Sequence, residues 1–250
     1  MDYFISRFNL FTLGSEGVTT SNLQSQIKKH FNYVPGSESL IVCLPGWGGK
    51  LHELRHVENS AVRQKTSFLA YEFPRGIFSD QKDLTRELFE IANQIVRSEI
   101  KELKTKYNFN KCILVCISLA SSYGSLVYKD NMNVDEILLI APGEDLAHDM
   151  WHGCRTQHFR KSYEKQGITE AQLIADWNEL ASKNNFPFLR TRVSIFLGKN
   201  DEVIPYRFSR QLGNIYQQRN LDVVVKVFPL GHYLLISLFL LLPKYFLKLN

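Results

Sequence analysis

Three residues with the means for nucleophilic acyl transfer follow one another along the chain: Ser118, Asp201 and His232. A serine hydroxyl is a weak nucleophile until a base takes its proton, and an imidazole serves as that base when a carboxylate orients it. Ser118 ends the apolar run Ile113-Leu114-Val115-Cys116-Ile117. Asp201 stands in Gly198-Lys199-Asn200-Asp201, and Ile204-Pro205 closes that loop. His232 follows Gly231. Each has a plainer reading alone. Serine caps helices, aspartate favours turns, and a lone histidine is more often structural than reactive. What points to chemistry is their shared placement, each just after an apolar, β-branched run.

A nucleophile on a tight strand-to-helix turn needs small residues two before and two after it, the G-x-S-x-G pattern. Here the segment is Cys116-Ile117-Ser118-Leu119-Ala120. Alanine fits, whereas cysteine is larger than glycine and is expected to press on the turn. Two other constellations could hold a metal. His52-Glu53-Leu54-Arg55-His56 matches H-E-x-x-H, which on a helix puts two imidazoles on one face with a glutamate to activate water. Its plainer reading is an exposed helix start. His152 and Cys154 with His158 form a second candidate, equally well explained as surface.

These residues need elements to position them. Short apolar runs at Ser39–Leu44, 67–73, Lys111–Ile117, 134–140, 192–197 and 221–228 read as strands. Between them lie helical patterns. The clearest has Leu84, Leu88, Ile91, Ile95, Val96, Ile100, Leu103 and Tyr107 at three- and four-residue steps, with Ser79 or Asp80 as its expected N-cap. A second runs over 119–128. Strands that alternate with helices predict a mostly parallel, doubly wound sheet, and ligands bind beyond the carboxyl ends of such strands. Gly46, Ser118, Asp201 and His232 all follow strands and are expected at that edge. The interval 144–188 is too long for a plain loop and is expected to form a helical cap, with Thr169-x-x-Gln172 as a capping box. The first 35 or so residues are expected to add an antiparallel hairpin at the sheet edge.

Composition narrows the rest. The chain has 250 residues, 44% apolar, enough for one domain over 1–250 to bury a core without staples. A net charge of +5 is spread along the sequence rather than clustered, which excludes a nucleic-acid footprint. Cys43, Cys112 and Cys116 fall in expected strands, so the cysteines read as buried thiols of a reducing, cytoplasmic compartment. The amino-terminal residues lack the basic and apolar segments of a signal peptide. Residues 233–242, almost wholly apolar, are too short as a helix to span a bilayer. They are expected to be a final helix packed between the sheet and a neighbour, with an oligomer or membrane-surface contact as the alternative.

From Ser39 onward the chain resembles the α/β-hydrolase superfamily. The likeness is carried by Pro45-Gly46-Trp47-Gly48-Gly49, the Ser118 elbow, Asp201 in G-x-x-D-x-x-I-P, Gly231-His232, and the chain order Ser, Asp, His. The resemblance implies Ser118 as nucleophile, His232 as general base and Asp201 as orienting acid; Glu144 and Asp145, which follow an earlier strand, are the rival acids. It places the oxyanion hole at the amides of Leu119 and Trp47, with Gly46 shaping that loop. Trp151 and Trp177 are expected to line the substrate pocket. The implied activity is carboxylesterase-, lipase- or thioesterase-like cleavage of a small-molecule acyl ester or thioester, with no cofactor and no metal. The alternatives are a weakly active or inactive binding protein, for which Cys116 argues, and a zinc hydrolase built on His52 and His56.

Overall fold

The computed structural model describes residues 17–129, 134–185, 187, 190–219 and 221–247. Its strands are β1 (Lys28–Asn32), β2 (Ser39–Leu44), β3 (Ser67–Glu72), β4 (Lys111–Ile117), β5 (Glu136–Ile140), β6 (Arg192–Gly198) and β7 (Asp222–Phe228). The helices are α1 (Leu23–Gln26), α2 (Arg55–Arg63), α3 (Lys82–Tyr107), α4 (Ala120–Tyr128), α5 (Leu146–His152), α6 (Gln157–Lys165), α7 (Glu170–Asp176), α8 (Tyr206–Gln218) and α9 (His232–Leu241). All seven strands form one sheet in the order β1-β3-β2-β4-β5-β6-β7. Only β1 runs antiparallel, along β3.

Side chains alternate between the two faces of a strand, and the core divides accordingly. Ile41 and Cys43, Phe68 and Ala70, and Ile113 and Val115 pack under Val57 and Ala61 of α2 and Leu235 and Phe239 of α9. Leu40 and Val42, Leu69 and Tyr71, and Leu114 and Cys116 face Leu88, Phe89, Val96 and Ile100 of α3 together with α4 and Leu212 of α8. Each fully buried aliphatic or aromatic side chain contributes roughly 1.5–3 kcal/mol, so both helical layers are held by the sheet they cover.

Two expectations need correction, and a third falls partly outside the described residues. The long helix starts at Lys82 with Gln81 as N-cap, not at Ser79 or Asp80. Those two residues instead bind the interval between β5 and β6: the Tyr163 hydroxyl donates to Ser79 O at 2.7 Å and Gln166 Nε2 to Asp80 O at 2.9 Å. At the amino-terminal side, the described residues supply one antiparallel strand, β1, preceded by the short α1; residues 1–16, on which the expected hairpin also falls, lie outside the described residues. The final helix is covered on one side only. His232, Leu235 and Phe239 are buried, while Leu234 is 61% exposed. Among the described residues no helix is long and apolar enough to cross a membrane.

The interval 144–188 carries α5, α6, α7 and two 3-10 turns. The Thr169 hydroxyl accepts from Gln172 N, and Gln172 Oε1 accepts from Thr169 N at 2.8 Å, which is the expected capping box.

Candidate active site

Strand β4 ends at Ile117 and α4 begins at Ala120, leaving two residues for a sharp reversal. Ser118 makes that reversal at φ 57°, the left-handed region that a residue with a Cβ rarely occupies. Its amide is held by Ile140 O at 2.7 Å. Strain of this kind costs about 1–3 kcal/mol and lifts the side chain off the sheet edge. There Ser118 Oγ lies 2.9 Å from His232 Nε2.

His232 is the first residue of α9, and its Nδ1 lies 2.7 Å from Asp201 Oδ2. The other Asp201 oxygen accepts from the amides of Val203 (2.9 Å) and Ile204 (2.8 Å), which fixes the carboxylate's direction. The two loops are tied at the backbone, with Lys199 N donating to Phe228 O and Asn200 N to Leu230 O. His232 and Asp201 side chains are each 2% exposed, so little water competes for their contact. Of the rival acids, Asp145 caps α5 through Ala147 N and binds Lys183 Nζ at 2.7 Å. Glu144 is buried, and burial raises its carboxyl to about 7. Asp201 is the carboxylate on His232.

The loop after β2 reaches the serine. A Cβ on Gly46 would stand 3.2 Å from both Ile117 O and Ser118 Cβ, so a larger residue would push the loop away. Gly49 N closes the turn on Gly46 O at 2.9 Å, and the Tyr123 hydroxyl, from α4, donates to Pro45 O. This places the Trp47 peptide beside the elbow. On the elbow's other side, the Leu119 amide donates to no acceptor among the described residues. The Trp47 indole donates to Arg75 O at 2.9 Å, and its ring packs on Phe78, Phe159 and His158.

Cys116 was expected to press on the turn, and the structure shows how it is accommodated. A Cβ on Gly124, one turn into α4, would overlap Cys116 Sγ. The space that a glycine at position 116 would leave is taken instead from the helix. Gly124 inside a helix was the sequence signal for this, since glycine there costs about 1 kcal/mol without a packing reason.

The aromatic residues of the interval 144–188 separate. Trp151 is buried, with the Arg160 guanidinium 5.5 Å from its ring centre. Trp177, expected in the pocket, is 1% exposed and donates through Nε1 to Lys82 O at 3.0 Å. It anchors the α7 end to α3. A wide surface cleft lined by Arg86, Glu90, Asp176 and Glu179 also lies along α3 and contains none of Ser118, Asp201 and His232.

The H-E-x-x-H segment is divided between a 3-10 turn (Leu51–Leu54) and α2. Glu53 Oε2 accepts from Lys50 N at 3.0 Å, and both His52 and His56 are exposed. His158 stacks on Trp47 rather than joining His152 and Cys154.

No family model matches the sequence, and no curated protein does. Solved structures do. An esterase from Pyrococcus furiosus is 14% identical, with 92% of this chain covering 90% of that one at a TM-score of 0.59. Thermogutta terrifontis esterase 2, phosphonylated by sarin, is 14% identical over 88% of each chain at 0.61. Acetyl xylan esterase 1 from Thermoanaerobacterium is 14% identical over 82% of this chain and 73% of that one at 0.60. The chain has the α/β-hydrolase fold, a seven-stranded, mostly parallel sheet with helices on both faces.

Proposed function

We propose that the protein is a serine hydrolase of the carboxylesterase-like class that cleaves a carboxylic ester or thioester through an acyl-enzyme. The reading rests on one observation: a continuous hydrogen-bonded path from Ser118 Oγ through His232 to Asp201, starting on a serine held in the left-handed region. Ser118 Oγ attacks the acyl carbon while its proton passes to His232 Nε2. Asp201 Oδ2 accepts from Nδ1–H, which stays on the ring, and stabilises the imidazolium. The amides of Leu119 and Trp47 take the oxyanion, and loss of one such donor typically costs about 10²–10³ in rate. His232 then protonates the leaving alkoxide or thiolate as its bond to carbon breaks. A water deprotonated by His232 attacks the acyl-serine, releasing the acid and restoring the hydroxyl.

The rings of Trp47, Phe78 and Phe159 beside the Gly46 loop support an apolar acyl group. Several proteins that share this fold are esterases by name, which favours this chemistry among the many the fold hosts. The reading as a weakly active binding protein leaned on Cys116, whose bulk Gly124 accommodates.

Labelling of the folded chain with a fluorophosphonate, followed by peptide mapping, tests the reading. One adduct is expected on Ser118, with hydrolysis of p-nitrophenyl esters lost in parallel. Absence of the adduct, or its full retention in Ser118→Ala, overturns it.

A further inference from the structure

Away from Ser118, the described residues hold one cluster with the composition of a metal centre. His148 and His152 are four residues apart on α5, so they stand one above the other on the same helix face. Glu170 is the first residue of α7 and comes from a different element. Its Oε1 lies 2.9 Å from His152 Nε2 and 3.5 Å from His148 Nε2. The two imidazole centres are 4.5 Å apart, and the three ligand atoms lie within 4.8 Å of one another.

That spacing is close to what an ion needs. Bonds of about 2.0–2.2 Å in tetrahedral directions put ligand atoms roughly 3.3–3.6 Å apart, within reach of small side-chain rotations. Both rings turn the same nitrogen, Nε2, to the same carboxylate oxygen, with His152 at hydrogen-bond distance from it, so one ion replacing the shared proton would meet all three groups. Phe208 packs edge-on against His148 at 4.1 Å and walls one side. All three side chains keep part of their surface exposed, which leaves room for a water as fourth ligand.

We propose that His148, His152 and Glu170 form a binding site for a divalent ion of the zinc class, which ties α5 to α7. Two imidazoles and one carboxylate suit zinc among the first-row ions, and a harder cation such as magnesium or calcium prefers oxygen alone. The bond adds a second kind of link between two helices that already pack on one another. The C-terminal end of α5 abuts the Asp201 loop, since a Cβ on Gly153 would stand 3.6 Å from Val203 O. The ion therefore stiffens the structure next to Asp201 without touching substrate. This inference does not depend on Ser118 acting as a nucleophile.

The test uses the untagged full chain, stripped with a chelator and dialysed. Zinc is titrated in competition with a chromophoric chelator, cobalt(II) reports geometry by its visible spectrum, and thermal unfolding is followed with and without zinc. One equivalent of zinc, a tetrahedral cobalt spectrum and a higher Tm with zinc are expected. Loss of an outer-shell partner commonly costs about 10–100-fold in affinity, so His152→Ala and Glu170→Gln should each cost more than about 100-fold and abolish the Tm rise. The double variant His52→Ala/His56→Ala should keep both effects. Circular dichroism of the stripped variants matching the stripped parent shows that they fold. Failure to bind one equivalent, binding unchanged in both His152→Ala and Glu170→Gln, or binding lost in the His52/His56 variant overturns the proposal.

Discussion

Asp201 divides its two oxygens between two tasks, and this makes a sharp prediction at the scale of one residue. Oδ1 holds the loop through Val203 and Ile204, while Oδ2 orients His232. In Asp201→Asn the loop bonds survive through the amide oxygen, but His232 loses the acceptor that fixes its tautomer. The substitution should leave circular dichroism unchanged and lower kcat by about 10⁴, the loss typical of this change in a serine triad. Near-normal turnover in ester hydrolysis would remove Asp201 from the mechanism. Cys116 and Gly124 make a second residue-scale pair. Gly124→Ala should be destabilising by about 1–3 kcal/mol, because its Cβ overlaps Cys116 Sγ. In a Cys116→Gly background the same change should be neutral or stabilising, since alanine is the better helix former. Urea denaturation of the four proteins reads the coupling, and simple additivity would show that the two sites do not share one space.

At the scale of elements, the junction of β5 and α5 concentrates buried acids. Glu144 is raised to about 7 by burial, partly offset by Lys183, with Asp145 adding to the rise. Its Oε2 is buried without a partner among the described residues. Asp149 is raised as well, by burial and then by Asp145, Glu144 and Asp201, and its carboxyl lies against Gly143. The sign follows from linkage. Between the ordinary 4.5 and about 7, folded Glu144 keeps a proton that the unfolded chain has released, so stability falls as pH rises through that window. With solvent screening reducing the full value of the shift, the loss is on the order of 2 kcal/mol by pH 8. Glu144→Gln should flatten the pH dependence of the urea midpoint between pH 5 and 8 (roughly the window of that titration) and stabilise the protein at its upper end. A midpoint whose pH profile is identical in parent and variant would show that Glu144 titrates normally.

For the whole molecule, the two-layer arrangement predicts where apolar substitutions matter. Phe239 is fully buried beneath the sheet, against Phe246 at 5.4 Å, whereas Leu234 on the same helix is mostly exposed. Phe239→Ala should cost about 3–5 kcal/mol and Leu234→Ala less than about 0.5 kcal/mol. Equal costs would mean that something covers the outer face of α9 in solution. Chemical denaturation across a range of protein concentrations distinguishes the cases.

Period and punctuation alone determined much of this architecture. The expected runs at Ser39–Leu44 and Lys111–Ile117 coincide with β2 and β4, because a strand buried on both faces writes itself as an unbroken apolar segment. Strand ends were legible for the same reason, and with them the edge at which Ser118, Asp201 and His232 meet. What stayed hidden depends on contacts between residues far apart in the chain. Ser79 and Asp80 look like a helix cap locally, yet their carbonyls are claimed by Tyr163 and Gln166. Trp177 looks like a pocket residue until its indole is found on Lys82 O. Cys116 reads as a misfit until Gly124 faces it. His148 and Glu170 carried no shared pattern, being brought together only by the packing of α5 on α7. Local periodicity reports which face of an element is buried; only the folded chain decides which neighbour buries it.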